Sequence, residues 1–407
     1  MKRVMVIGVG AQGSTIAKRL NEETLIEEII CADYDEKAAS EMEKTLSKAK
    51  GIKVNARNKD EIVAAAQGVE LIVNGLAPDF NVNVLEAALE VGACYQDMAS
   101  GPVSDVGFVE AVERAFSYDE KFKAKGLTAL FNTGSAPGIA NVVTREAVDQ
   151  LDSCSEIEIT VYDGIWSRKF IPFWWSPETA FGDMAAKPIC YENGKFVRSQ
   201  PFNDPRMEDF PNMDGTRRTV DHEHEEPVTM GLLSGKVLKG VKKVNFRYGG
   251  PGLDLAQDLY KMGLLSDKEI DVKGTKIVPM DIISKLTPPA PKYPDEIQAV
   301  LDEGMVSEEG AFRIRVDGEK KGTKTRIDCF INGPGLTEAF EKANITHESY
   351  LTGQAAFLFT KMFVNNKIKT KGAYPPEVLE IAERSYYLEE AAKLDITVDQ
   401  NISITLK

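Results

Sequence analysis

Val4-Met5-Val6-Ile7-Gly8-Val9-Gly10-Ala11-Gln12-Gly13 lies almost at the start of the chain, and its reading decides the fold. Four apolar residues in succession read as a strand buried on both faces, and the residues after Gly10 open a helix. In that context each glycine of the G-x-G-x-x-G spacing has a task. Gly8 makes the tight turn, Gly10 lets phosphates approach the backbone, and Gly13 lets the helix pack closely on the strand. The helix start then offers free N–H groups and a favourable dipole to a pyrophosphate. Asp33 ends the next strand, 20 residues after Gly13. A carboxylate there accepts both ribose hydroxyls of a dinucleotide and repels a 2′-phosphate. Tyr34 and Asp35 follow, with no Arg or Ser to receive that phosphate, so NAD is favoured while NADP stays possible. The expected cofactor-binding residues are Gly8, Gly10, Ala11, Gln12, Gly13 and Asp33, with Asn74 and Gly75 at the end of the fourth strand.

Working outward, Arg3–Ile7, Glu28–Ala32, Lys53–Asn55, Leu71–Asn74, Cys94–Asp97 and Thr128–Phe131 read as strands. Helix-patterned stretches (36–49, 59–66, 83–91, 107–125) separate them. That alternation predicts an α/β fold with a doubly wound parallel sheet of the Rossmann type. After Gly134 the pattern changes. Ile157, Ile159 and Val161 alternate with Glu156, Glu158 and Thr160, and Phe312, Ile314 and Val316 lead through a Gly318–Gly322 turn into Thr325–Ile331. One-sided alternation is the mark of an antiparallel sheet with one wet face. The expected division is therefore residues 1–134 with 347–407 as dinucleotide-binding domain, completed by C-terminal helices, and 135–346 as an inserted α+β domain for substrate and dimerisation.

The 407 residues carry 49 Lys plus Arg against 63 Asp plus Glu, a formal net charge of -14. Such a field repels phosphate backbones and anionic lipid, so neither nucleic acid nor membrane is an expected partner. No apolar run approaches the length of a bilayer span. Five scattered cysteines without a Cys-x-x-Cys argue against a disulfide framework and for a reducing, cytoplasmic setting.

Beyond the glycine loop, an ordered series of stretches resembles the saccharopine dehydrogenase/reductase family. It comprises Val73-Asn74-Gly75, Tyr95-Gln96-Asp97, Gly134–Gly138, Val161-Tyr162-Asp163-Gly164, Phe210–Asp214, Phe246–Gly249 and Met262–Asp267. The L-lysine 6-dehydrogenases and carboxynorspermidine dehydrogenases are relatives within it. The resemblance implies oxidation of a carbon–nitrogen bond in an amino acid or opine-like secondary amine, coupled to nicotinamide reduction, by a homodimer. Family members usually have Asp before the Pro of the Gly134–Gly138 loop and Cys before the Gly of the later strand end. Here those places hold Ala136 and Asp163.

The chemistry requires an unprotonated amine and an activated water, hence an acid–base group near neutrality. Asp163 and Asp97 end strands on the side where open α/β sheets bind ligands, and are the catalytic candidates. A substrate carboxylate calls for a bidentate cation, for which Arg168, Arg217, Arg218 and Arg247 are available. Trp166, Phe173, Trp174 and Trp175 are candidates to wall the cleft, with Trp166 counted among the substrate residues. Asp221-His222-Glu223-His224-Glu225 invites a metal reading, but no third spaced ligand is evident and no metal is expected. The arginines after Phe210–Asp214 favour saccharopine (glutamate-forming chemistry), Ala136 favours lysine 6-dehydrogenation, and carboxynorspermidine comes third. The alternative of another class is a non-catalytic NAD sensor.

Overall fold

The structure, a computed structural model, describes residues 2–211 and 213–405; Asn212 of the Phe210–Asp214 stretch lies outside them. The chain divides into two compact units, residues 1–146 with 351–397 and residues 147–350 with 398–407.

In chain order the strands are β1 (Lys2–Ile7), β2 (Ile26–Asp33), β3 (Ala49–Lys53), β4 (Leu71–Asn74), β5 (Cys94–Asp97) and β6 (Thr128–Leu130). Then come β7 (Ser153–Ser167), β8 (Ile189–Glu192), β9 (Lys195–Arg198), β10 (Arg206–Glu208), β11 (Arg217–Asp221) and β12 (Lys243–Gly249). A small hairpin, β13 (Ile270–Val272) and β14 (Thr275–Ile277), precedes β15 (Met305–Lys320), β16 (Thr323–Asn332), β17 (Gly372–Tyr374) and β18 (Thr397–Ile404).

In the first unit seven parallel strands lie in the order β17-β6-β5-β4-β1-β2-β3. The order reverses between β1 and β4, the switch point at which such sheets bind ligands beyond the strands' carboxyl ends. Unbroken apolar runs bury both faces: Val4, Met5 and Val6 of β1 have no exposed surface. The C-terminal helix His347–Val364 covers the sheet beside β5, where the Gln96 amide donates to Ala356 O (2.9 Å) and its oxygen accepts from Thr360 (2.9 Å). The doubly wound fold completed by C-terminal helices is thus present.

Three boundaries differ from the sequence reading, the smallest being the return to the first unit at residue 351 rather than 347. The first unit runs to residue 146 rather than 134, because Asn141 and Arg145 of the helix Ile139–Asp149 hydrogen-bond to Glu377 (2.7 and 2.8 Å). Residues 398–407 belong to the second unit, because β18 pairs with β16. Within the first unit the expected helix over 107–125 is two, Phe108–Phe116 and Asp119–Ala124.

The second unit is built on a mixed nine-stranded sheet, β10-β11-β12-β7-β15-β16-β18, with β8 and β9 attached to β12. Ile157, Ile159 and Ile314 form its apolar side as expected. The opposite side is not wet. Glu158 and Thr160 are buried, and Arg313 donates to Glu158 Oε1 (3.2 Å) and Thr160 Oγ1 (3.1 Å) and pairs with Glu208. Polar alternation here marks a buried ion network rather than a solvated face, the arginines supplying the partners that burial demands.

Candidate functional site

In the loop from β1 to the helix Ala11–Glu22 the three glycines have different surroundings. Gly8 has φ +85°, and a Cβ on it would lie 2.6 Å from Leu76 Cδ2. A Cβ on Gly13 would lie 2.0 Å from Gly8 O, so any side chain would push helix and strand apart. Gly10 instead faces open space, with nothing within 4 Å of a Cβ. The helix has no side-chain cap and no acid in its first turn, so its leading N–H groups are left for an anion. Ala11 is exposed and Gln12 half-buried at that end. Asp33 closes the loop from the side: its Oδ2 accepts from Val9 N and its Oδ1 from Asp35 N, both 2.9 Å. Gly75 follows β4 with Gly8 O 2.6 Å from where its Cβ would be. These residues fit a dinucleotide: an open glycine edge and helix start for the pyrophosphate, and a fixed carboxylate for the ribose.

At the ends of β4 and β5, Asn74 and Asp97 join one buried network. Tyr95 Oη donates to Asp97 Oδ2 (2.9 Å), Asn132 N donates to Oδ1 (2.8 Å), and Asn74 Nδ2 donates to Tyr95 Oη (3.2 Å) and Asn81 Oδ1 (2.8 Å). Burial raises the Asp97 carboxyl to about 7, against the lowering effect of Asn132 N–H and Tyr95. With both oxygens engaged and 2% of its surface exposed, Asp97 holds the turn at Asn132, where φ is 62°. That is a scaffolding position rather than that of a free base. Beside it a cavity of about 680 Å³ is lined by Arg57, Asp79, Phe80, Asn81, Asp97 and Ser100, among others.

In the second unit Asp163 is differently placed. Its Oδ1 accepts a long bond from Ile165 N (3.4 Å) and lies 3.5 Å from His347 Nε2. Both ring nitrogens of His347 are buried without a hydrogen-bond partner among the described residues, as is Tyr248 Oη. A Cβ on Gly250 would touch the Asp163 backbone carbonyl (2.6 Å) and Tyr248 Oη (2.7 Å), and burial, with the charge of the Asp163 carboxylate acting on the phenol, raises the Tyr248 pKa. Trp174 meets the His347 ring edge-on at 5.1 Å, held by its own Nε1 bond to Ile165 O (2.9 Å), and Trp175 meets Tyr248 edge-on at 5.6 Å. A carboxylate, an imidazole and a phenol thus converge within aromatic walls, and three of their polar atoms await partners. Of this cluster the sequence reading names Asp163 and Trp174 as candidates and does not name His347 or Tyr248. The lone histidine stands 184 positions from Asp163, and no local spacing signals the encounter.

The expected arginine clamps are mostly taken. Arg247 is fully buried and bound to Asp204 (3.1 Å), Asp221 (2.9 Å) and Glu208 (3.3 Å). Arg217 pairs with Glu309 (2.5 Å), and Arg218 pairs with Asp254 and Gln257. Arg168 is exposed and has no side-chain partner among the described residues. Trp166, 46% exposed, stands apart from the buried Phe173 and Trp174. The histidine stretch is buried rather than solvated. His224 lies flat on Phe246 (3.9 Å, 7°) and bonds Glu226, with Glu225 close by (3.6 Å), so the acid that the sequence reading left out is Glu226, the position directly after the stretch.

A switch-point parallel sheet with a glycine loop, an open helix start and a strand-end acid has the features of a dinucleotide-binding domain. Residues 4–130 match the saccharopine dehydrogenase NADP binding domain and residues 134–393 the saccharopine dehydrogenase C-terminal domain. The chain belongs to the saccharopine dehydrogenase family and is an NAD(P)-dependent dehydrogenase acting on CH–NH groups. It is 23% identical over 387 residues to a carboxyaminopropylagmatine dehydrogenase from Synechocystis, covering 93% of each chain. To a carboxynorspermidine synthase from Vibrio alginolyticus it is 26% identical over 344 residues, covering 80% of this chain and 77% of the relative. Its fold is that of apo saccharopine dehydrogenase (L-Glu forming) from Saccharomyces cerevisiae, with TM-score 0.69, 13% identity and 99% and 100% coverage. No helix among the described residues is long and apolar enough to cross a membrane.

Proposed function

We propose that this dehydrogenase uses NAD to act on an N-carboxyalkyl amine whose nitrogen bears a cationic arm, the substrate class named for both relatives above. The observation that carries this is the pairing of Arg217, Arg218 and Arg247 with the protein's own acids. A substrate with three carboxylates, such as saccharopine, needs several free cations; a single carboxylate on a polyamine needs one, and Arg168 is free for it. Saccharopine is therefore the second reading, and lysine, with no carboxylate arm on the reacting nitrogen, the third.

Gly8, Gly10, Gly13 and the helix start would hold the pyrophosphate, Asp33 the ribose, and Asn74 and Gly75 the edge near the nicotinamide; the bound nicotinamide supplies a hydride acceptor. Asp33 favours NAD, although Lys53 stands over the Tyr34 ring (5.8 Å) as the cation an NADP phosphate would meet. Asp163 accepts the proton of the substrate ammonium, making its lone pair available as hydride leaves the neighbouring carbon. The iminium so formed is attacked by water, whose proton passes to the Asp163–His347 pair, and the carbinolamine collapses to carbonyl and amine. Trp174, Trp175 and Tyr248 exclude bulk water around that pair.

Absorbance at 340 nm with NAD and a panel of carboxynorspermidine, saccharopine and lysine tests the reading. NADH from carboxynorspermidine at a kcat/KM at least tenfold above the others supports it; preference for saccharopine overturns it. NAD binding with no turnover of any C–N substrate would favour the sensor.

A further inference from the structure

Strands β12 and β7 run parallel, with Tyr248 paired in register to Val161. Partners in register point to the same side of a sheet, and residues two apart on one strand share that side. The Tyr248 ring therefore stands on the face that carries Asp163. Gly250 gives the phenol its room: a Cβ there would lie 2.7 Å from Oη, closer than a real side-chain carbon comes. The ring is buried, with Trp175 edge-on to it at 5.6 Å and the His222 ring at 5.2 Å. Its hydroxyl, by contrast, serves no contact. Oη is buried and has no hydrogen-bond partner among the described residues. A buried hydroxyl without a partner costs free energy that no bond offsets, and phenylalanine would fill the same space without that cost. A partner brought by the reaction accounts for keeping it, as unpaired buried groups concentrate at functional sites. Burial, and then the Asp163 charge, raise the Tyr248 pKa well above the ordinary value of 10.0, so the phenol holds its proton and can only donate.

Hydrolysis of the iminium needs an acceptor and a donor on one oxygen. Water attacks the iminium carbon, a carbon–oxygen bond forms, and the carbon–nitrogen π pair returns to nitrogen. The Asp163–His347 pair (3.5 Å) takes the water's proton and returns it to nitrogen. In the collapse that follows, the same pair takes the hydroxyl proton, the carbonyl forms, and the carbon–nitrogen electrons leave with the amine. Negative charge grows on the oxygen in that last step. A fixed donor shielded from water stabilises such charge without having to reorient. Asp163 and His347 supply the acceptor side, and Tyr248 is the neutral donor standing on the same face.

We infer that Tyr248 is a catalytic residue of the hydrolytic half-reaction, its Oη–H donating to the oxygen that enters as water and leaves as the carbonyl of the product. This rests on the Asp163 site proposed above but not on which amine is the substrate, since all three amines weighed there pass through an iminium. Tyr248→Phe in the full chain keeps the ring, and with it the wall around Asp163, and removes only the donor. Stopped-flow absorbance at 340 nm separates the first turnover from the steady state. It is run with NAD and whichever of carboxynorspermidine, saccharopine and lysine the wild type turns over fastest. The variant should form its first equivalent of NADH at the wild-type rate, then turn over about tenfold or more slowly than wild type in the steady state. Its Tm should equal or exceed that of wild type, because the hydroxyl has no bond to lose. A first turnover slowed as much as the steady state overturns the inference, as does a steady state like that of wild type. A lowered Tm, or a variant that does not fold, overturns it too, by revealing a structural partner for the hydroxyl. Turnover of no panel amine by wild type overturns it together with the dehydrogenase reading, and that failure is seen before any variant is compared.

Discussion

Replacing Asp97 by Asn should stabilise the protein at alkaline pH and leave it unchanged at acid pH. The native carboxyl is held at about 7 against an ordinary value of 3.8 because burial opposes its charge. The folded state therefore binds this proton more tightly than the unfolded chain. Stability falls as pH rises from about 4 through about 7, and the loss is complete above that. A displacement from 3.8 to about 7 corresponds to roughly 4 kcal/mol between the charged and neutral forms. Asparagine keeps an oxygen for Asn132 N and a polar group for Tyr95 Oη, but exchanges a charge-assisted bond for a neutral one, returning about 1–2 kcal/mol. The net gain at pH 8 is then on the order of 2 kcal/mol, a few degrees in Tm. Scanning fluorimetry of wild type and Asp97→Asn from pH 5 to 8.5 reads it directly. The two melting temperatures should already differ at pH 5, by less than half the gap reached at pH 8, and separate progressively between. A constant difference across the range, or a variant that loses stability on going to pH 8, would refute the assignment of Asp97 as a buried scaffold with a raised pKa.

Gly13→Ala, whose Cβ would meet Gly8 O at 2.0 Å, should lower Tm sharply, whereas Gly10→Ala, facing open space, should melt like wild type yet bind NAD at least tenfold more weakly; comparing melting with calorimetry separates the two. Arg247→Met should cost roughly 3–5 kcal/mol in denaturant unfolding, since it strands Asp204, Asp221 and Glu208 without their shared partner; an unchanged midpoint would show that the network adds nothing to stability. Asp163→Asn and His347→Asn should each cut kcat about 100-fold with NAD affinity intact, and the double variant should lose little more than either single one, because the two act as a pair. Fully additive losses would mean that the two side chains serve separate steps.

The sequence made local features readable and left distant pairings hidden. β4 at Leu71–Asn74 and β5 at Cys94–Asp97 fall on the residues read from their apolar runs, because strands buried on both faces need no partner to be recognised. The glycine loop was equally legible, each glycine meeting a steric demand set within a few residues. Arg247 was read as a clamp because a substrate carboxylate calls for a cation and this one stands at a strand end; its acids come from β10, β11 and the turn before them, adjacent only once the strand order β10-β11-β12 exists. Glu158 was read as solvated for the same reason, its arginine lying 155 positions away on β15. Thr397–Ile404 escaped notice as a strand because it is exposed along nearly all its length and pairs at a sheet edge. His347 carried no signal at all, since what matters about it is the carboxylate opposite.

The most direct test is a pair of calorimetric titrations of the pure chain, one with NAD and one with NADP. Micromolar binding of NAD, at least tenfold tighter than NADP and losing that margin in Asp33→Ala, is the expected result. Tighter binding of NADP would contradict the role given to Asp33, and no heat from either nucleotide would contradict the seat at Gly8–Gly13.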